Sequence, residues 1–493
     1  MRQYFKLFMR RSMIRYRHLR YLGFVCIVAI GALSVGILPV HAQTLPDSLQ
    51  QAWQQTGLPQ DALSFYVQEV GKAEPEFAID ADAPRNPASV MKVVTTWAAL
   101  SGLGPEYQWR TAFMAEGGGV IEPRGTLSGP LYIKASGDPF FSETDLWQML
   151  RELRLRGIKN ISSVVVDKSI FGDVAIDPNA FDNAGDRPYN AAPDAMMVGL
   201  GAVRLLFHPD VQGKKWVPVI DPPLPGVRVE GGPEWAAGRC PGAPRVQTQV
   251  VPKGDGVTIQ VSGKVAGSCD AFSVWRLALS QEAYFASVFK MLWRELGGTL
   301  ARDIRFGKSP ANAKPLVWHV SDSLSDLIRR INKQSNNVMA RTLMLSIGAQ
   351  LQGQGATAQS SAQATLRLLQ SQGLDTTGWH IDNGSGLSRT GRLTARGLAN
   401  LLDTAWHSPL MPEFLSSLAI AGVDGTLRRR MKDGAAKGRA HLKTGTLRDA
   451  RALAGYVLSA SGKRYVLVSL VNGQNAVAAR RFEDAAVDWL AQQ

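Results

Sequence analysis

Three short clusters in this 493-residue chain could together carry out acyl transfer: Ser89-Val90-Met91-Lys92, Ser335-Asn336-Asn337 and Lys443-Thr444-Gly445. On a helix, positions i and i+3 share a face, so Lys92 falls one turn beyond Ser89 on the same side. A serine hydroxyl needs a base to become a nucleophile, and a neutral lysine amine can serve. Neutrality near pH 7 requires lowering a lysine pKa by about 3 units, or roughly 4 kcal/mol. Burial, the positive end of a helix and a second cation all act in that direction. Lys443 can supply that cation, and a counter-charge for a substrate carboxylate. Backbone N–H groups at Ser89, in a first helical turn, lack helical partners and can face an oxyanion. Gly445 leaves room for another chain to approach the strand and pair with it.

Each cluster alone carries little. A chain of this length should show about one or two Ser-x-x-Lys matches by chance, and a second one, Ser287 to Lys290, is present. Ser-x-Asn is equally a helix cap, and Lys-Thr-Gly an ordinary strand end. The ordered combination is the signal, and it is the set found in penicillin-binding proteins and serine β-lactamases. Longer strings narrow it: Leu131-Tyr132-Ile133-Lys134 running into Ser136-Gly137-Asp138-Pro139, Asp382 to Arg389, Gly422 to Arg430, and Lys443 to Val457. On these strings the sequence resembles the penicillin-binding protein 4 type of D-alanyl-D-alanine carboxypeptidase and endopeptidase, peptidase family S13. The 242 residues between Lys92 and Ser335 fit that family, which inserts two extra domains there. Serine β-lactamases have a far shorter separation.

The resemblance implies that Ser89 is the acylated nucleophile and Lys92 its general base. It makes Ser335 the relay of a proton to the leaving amine, Asn337 the holder of the substrate amide, and Lys443 the cation that tunes the Ser335 side. Thr444 and Thr446 would contact the terminal carboxylate, with Gly445 between them in the substrate-binding strand. Simple alternation does not put Lys443 and Thr444 on one face, so that role rests on the resemblance only. Backbone N–H groups of Ser89 and Thr446 would form the oxyanion hole. An inserted-domain acid would help to recognise the substrate side chain; Asp182 and Asp186 lie in that region, and the choice is open. The implied partners are peptidoglycan peptides, with β-lactam antibiotics as covalent inhibitors, and no metal or organic cofactor is implied.

The elements that must position these residues are read from periodicity. Leu63 to Val70 reads as a strand, Gly71 to Glu76 as a turn and Phe77 to Ile79 as its partner. A helix is expected from Asn86 as N-cap, with Pro87 at its first position, to the breaker Gly102. Leu131 to Ile133 and Val164 to Val166 are strand-like, with a helix from Glu143 to Arg156 between them. Val217 to Ser268 reads as a small all-β module. Leu324, Leu327, Ile328 and Ile331 mark one buried helix face. Ala452 to Leu458 and Tyr465 to Val471 form a hairpin, and a helix from Ala476 to Leu490 closes the chain.

The expected fold is α/β (α+β), a penicillin-binding-protein-like domain with an antiparallel sheet covered by helices and two nested β-rich insertions. The expected divisions are 43–108 with 282–493 for the catalytic domain, 109–200 with 269–281 for one insertion, and 201–268 for the other.

Residues 1–42 read as an export signal: seven basic residues and no acid in the first twenty, an apolar run from Tyr21 to Leu38, then Val40-His41-Ala42 as cleavage site. An uncleaved anchor is the alternative. Arg10-Arg11 leaves Sec and twin-arginine export both open, and Cys26 lacks a lipoprotein setting. Removing the leader leaves 48 basic residues against 41 acidic, so the net charge falls from +14 to +7. That excess favours an anionic wall or membrane surface, with membrane contact at most peripheral, and homo-oligomers remain compatible. Export excludes nucleic acid. The expected location is the periplasm. Cys240 and Cys269 then remain, and in an oxidising compartment they suggest one disulfide, with two buried thiols as the alternative.

With 45% hydrophobic and 19% charged residues, the chain is not a disordered one. No Gly-x-Ser-x-Gly elbow or His-Glu-x-x-His metal motif occurs. Gly199-Leu200-Gly201 reads as a turn. A serine β-lactamase is the nearest rival, but no Glu-x-x-Leu-Asn string would position a deacylating water. The rival from another class is a non-catalytic wall-binding or β-lactam-sensing protein of the same fold, which would have no need of Lys92 and Ser335.

Overall fold

The computed structural model describes residues 45–493, so the expected leader, its cleavage site and Cys26 lie outside the described residues. The two ends of this span meet in a six-stranded antiparallel sheet. Its order is Phe77–Ile79, Leu63–Glu69, Arg464–Asn472, Ala450–Leu458, Ala440–Thr446 and Ala419–Ile420. The hairpin strands Ala450–Leu458 and Arg464–Asn472 are buried along almost their whole length. They read as continuous apolar runs rather than alternating ones because helices cover both faces. Asp47–Gln54 and Arg480–Gln492 pack on one face around Trp53, Phe65 and Phe482. Met91–Leu103, Leu324–Gln334 and Ala395–Trp406 pack on the other.

The Met91–Leu103 helix is the axis of that second layer, with every residue from Met91 to Leu100 buried. It differs from the expected helix at both ends. A single 3₁₀ turn, Ala88–Val90, precedes it with Pro87 in the cap position, while the Asn86 side chain accepts from the Ala88 N–H at 2.9 Å. At the far end it runs through Gly102 and stops at Gly104, whose φ of +88° no other residue type adopts easily.

The insertion forms a five-stranded mixed sheet, in the order Ile304–Phe306, Val164–Asp167, Leu131–Lys134, Arg110–Ala115 and Lys314–Val320. Helices Glu143–Leu155 and Gln281–Glu295 cover it, burying Leu146, Leu150, Phe285 and Phe289. This corrects the expected boundary at residue 282. Ile304–Phe306 pairs in parallel with Val164–Asp167, and Lys314–Val320 pairs with Arg110–Ala115, so the chain returns to the outer layer only at Leu324. A second boundary also moves: Phe272–Arg276 pairs with Val203–Asp210, which places it in the small β module rather than in the first insertion. That module holds the disulfide between Cys240 and Cys269. Among the described residues, no helix is long and apolar enough to cross a membrane.

Candidate active site

Ser89 lies in the 3₁₀ turn that opens the buried helix, and the residue before it, Ala88, has a φ of +46°. A left-handed alanine costs about 1–2 kcal/mol, so the surroundings must enforce it. Asn86 is clamped by Asn472, its N–H donating at 2.6 Å and its carbonyl accepting at 2.9 Å. Its side chain also donates to the Ser388 carbonyl at 2.9 Å. Two glycines then close on the turn. A Cβ on Gly386 would sit 1.7 Å from the Ala88 carbonyl oxygen, and one on Gly445 would sit 2.7 Å from that of Pro87.

Lys92 is wholly buried, and its Nζ touches three polar atoms: Ser89 Oγ at 3.0 Å, Asn337 Oδ1 at 2.7 Å and the Ser385 carbonyl at 2.5 Å. Burial first, then the charges of Lys443 and Arg341, hold its pKa well below the ordinary lysine value. A neutral amine has two N–H donors and one lone pair. Asn337 and Ser385 offer only acceptors, which leaves the lone pair for the Ser89 hydroxyl proton. In its neutral form, this contact set would let Lys92 accept a proton from Ser89.

A second serine–lysine pair stands beside the first. Lys443 Nζ donates to Ser335 Oγ at 2.9 Å and to the Thr444 carbonyl at 2.7 Å, and burial lowers its pKa to about 7. Ser335 ends the Leu324–Gln334 helix in a left-handed conformation (φ 56°, ψ 41°), and Asn336 caps the next helix, Asn337–Gln352, at once. This abrupt junction is what brings both Ser335 and Asn337 to the site. Thr444 Oγ1 bonds Thr426 Oγ1 at 2.9 Å, and Thr446 Oγ1 accepts from Arg451 Nη1 at 2.9 Å. Ala419–Ile420 pairs only with His441 and Leu442. Among the described residues, the outer edge of Thr444–Thr446 is left without a strand neighbour.

All eight residues singled out in the sequence thus fall in one region, while the second Ser-x-x-Lys does not resemble it. Lys290 pairs with Asp303 at 2.6 Å on the exposed side of its helix. Of the two acids left open, Asp186 is tied to Arg276 and Thr248 of the small β module. Asp182 accepts from Tyr189 and Asn190, and these hydrogen bonds lower its pKa despite partial burial. The sequence did not single out the Ser385 carbonyl, Gly386, Arg341 or Arg451. The first two lie within the Asp382–Arg389 string, where a main-chain acceptor has no side-chain signature.

The crystal structure of penicillin binding protein 4 (dacB) from Haemophilus influenzae matches this chain with a TM-score of 0.73 at 23% identity. The match covers 91% of this chain and 100% of that one. The same protein complexed with a β-lactam matches at a TM-score of 0.72 and 24% identity, over 90% and 100% of the two chains. The fold is that of the penicillin-binding proteins. The family is set by the sequence: the model of the D-Ala-D-Ala carboxypeptidase 3 (S13) family matches residues 45–493, and the chain belongs to that family. A D-alanyl-D-alanine carboxypeptidase of Actinomadura sp. (strain R39) is 30% identical over 453 residues, 86% of this chain and 80% of the relative. D-alanyl-D-alanine carboxypeptidase DacB of Haemophilus influenzae is 27% identical over 395 residues, 78% and 80% of the two.

Proposed function

We propose that this protein is an exported serine DD-peptidase that removes terminal D-alanine from peptidoglycan peptides and also cleaves D-Ala-diamino-acid cross-links, through an ester on Ser89. Lys92 takes the Ser89 proton as Oγ attacks the D-alanyl carbonyl, and the N–H groups of Ser89 and Thr446 hold the oxyanion. Ser335, hydrogen-bonded to Lys443, passes a proton to the leaving amine as the C–N bond breaks, and the proton taken up by Lys92 replaces it. Asn337 holds the substrate amide, and Thr444 and Thr446 take its terminal carboxylate. Water then hydrolyses the ester and returns the proton to the Lys92–Ser89 pair. The observation that carries this assignment is the Lys92 contact set, two acceptors and one hydroxyl around a buried amine. Family membership supports the carboxypeptidase step, and the β-lactam complex of the Haemophilus relative supports acylation by penicillin.

Chromatography of digested wall material tests both halves. Pentapeptides are expected to lose D-alanine, and cross-linked dimers to convert to monomers. Release of D-alanine with dimers intact would remove the endopeptidase half, and binding of penicillin with no turnover at all would favour a sensor.

A further inference from the structure

Past the edge strand that carries Thr444 and Thr446 lies a cleft of about 340 Å³ whose other walls include four arginines: Arg429, Arg430, Arg451 and Arg480. Two of them are structural. Arg430 and Arg451 are 6% and 7% exposed, and both donate to Glu483 Oε2 at 2.9 Å, a carboxylate that is itself fully buried. Arg451 also donates through Nη1 to Thr446 Oγ1. A threonine hydroxyl has a single proton, and because Thr446 accepts from this guanidinium its proton is directed elsewhere, free for a carboxylate. Arg451, fixed by Glu483, is thus a positioning residue for Thr446.

The other two arginines are not used up in this way. Arg429 is exposed and has no ion-pair partner among the described residues. Arg480 Nε lies 3.7 Å from Asp484 Oδ2, beyond hydrogen-bond reach, while Arg430 holds the other oxygen, Oδ1, at 2.6 Å. Set against a leaving D-alanine, the cleft is oversized. D-Alanine brings one carboxylate, which Thr444 and Thr446 account for, and a methyl group that neither fills this volume nor neutralises two exposed guanidiniums. Guanidinium pairs bind carboxylates through matched, charge-assisted hydrogen bonds.

We infer that Arg429 and Arg480 form a subsite for a second carboxylate on the leaving group, so that the enzyme favours dicarboxylate leaving groups over D-alanine. This rests on the DD-peptidase reading above. Two sources share that chemistry: an acidic D-residue at a peptide terminus, and a cross-linked stem peptide with a free carboxylate beyond the scissile amide.

The test compares kcat/KM for acyl-D-Ala-D-Glu with that for the isosteric acyl-D-Ala-D-Gln, alongside D-alanine release from acyl-D-Ala-D-Ala. The wild type is expected to favour D-Glu by about ten-fold. Arg429→Gln/Arg480→Gln should bring the ratio near one without moving the thermal midpoint, and Arg429→Glu/Arg480→Glu should favour a D-Lys leaving residue. Cross-linked dimers with free or amidated carboxylates form the second arm; faster cleavage of the free acid there identifies the stem peptide as a source. A wild-type ratio near one in both arms, with D-alanine still released, overturns the subsite and leaves the peptidase reading standing. A preference that persists in the Gln variant also overturns it. No D-alanine release at all overturns both.

Discussion

The charge of Lys443 lies close enough to Lys92 to lower the Lys92 pKa, second to burial. Lys92 carries the greater burden, from burial, from Lys443 and from Arg341. If Lys92 is the base, acylation rises with pH as it loses its proton. Lys443→Gln removes a neighbouring positive charge, which favours protonated Lys92 and raises its pKa. The acid limb of the acylation rate should therefore move to higher pH in this variant, even at a reduced maximum. Stopped-flow acylation by a chromogenic β-lactam measures it, and an unmoved limb would mean that Lys92 is not the titrating base. The same residue sets a stability window. Lys443 titrates at about 7 when folded but at about 10.4 unfolded. Between those values the unfolded chain binds more protons, so stability rises with pH and is lost as pH falls towards 7. Thermal melts of Lys443→Met should show a flatter pH dependence than the wild type across that window, and parallel curves would contradict it.

At the scale of elements, the Ser89 turn is held because a loop and a strand press on it. Gly386 has a φ of +75° and no room for a Cβ against Ala88, whereas Gly438 has a φ of +73° with open space around it. Both Gly→Ala changes force a left-handed alanine, costing about 1–2 kcal/mol. Only Gly386→Ala should also displace Ser89, with acylation falling about a hundred-fold, while Gly438→Ala keeps near-normal acylation. Equal acylation rates in the two variants would remove the role assigned to the Gly386 contact. This element also marks the limit of what the sequence discloses. Ser89 and Lys92 were legible because a four-residue spacing fixes a shared helix face. Ser335 and Asn337 stood out as a motif, but not the left-handed junction that aims them. The glycine that shapes the turn lies almost 300 residues away, and only the folded chain shows that Gly386 meets Ala88.

Across the whole molecule, the six-stranded sheet closes from both ends of the described span, and the insertion returns through one parallel and one antiparallel pairing. That return explains why the boundary at residue 282 was misplaced: local periodicity marks the Gln281–Glu295 helix, but not the Ile304–Phe306 and Lys314–Val320 pairings across more than 130 positions. The hairpin near the C-terminus was legible because its strands are adjacent in the chain. The buried Arg430–Glu483–Arg451 cluster was not, since its charges look like surface residues until the last helix packs on the sheet. The Cys240–Cys269 bridge closes a loop spanning 29 positions within the small β module. Its loss should destabilise that module by about 3–4 kcal/mol on the loop-entropy model. Calorimetry with and without reductant should show a lowered transition, and superimposable traces would count against a stabilising role. The central claim is the Ser89 ester, and peptide mapping by mass spectrometry after exposure to penicillin tests it most directly. The penicilloyl mass should appear on the peptide containing Ser89 and be absent from Ser89→Ala, with hydrolytic activity falling by a factor on the order of 10⁴ to 10⁶. An adduct on Ser287, or undiminished labelling of Ser89→Ala, would contradict the account.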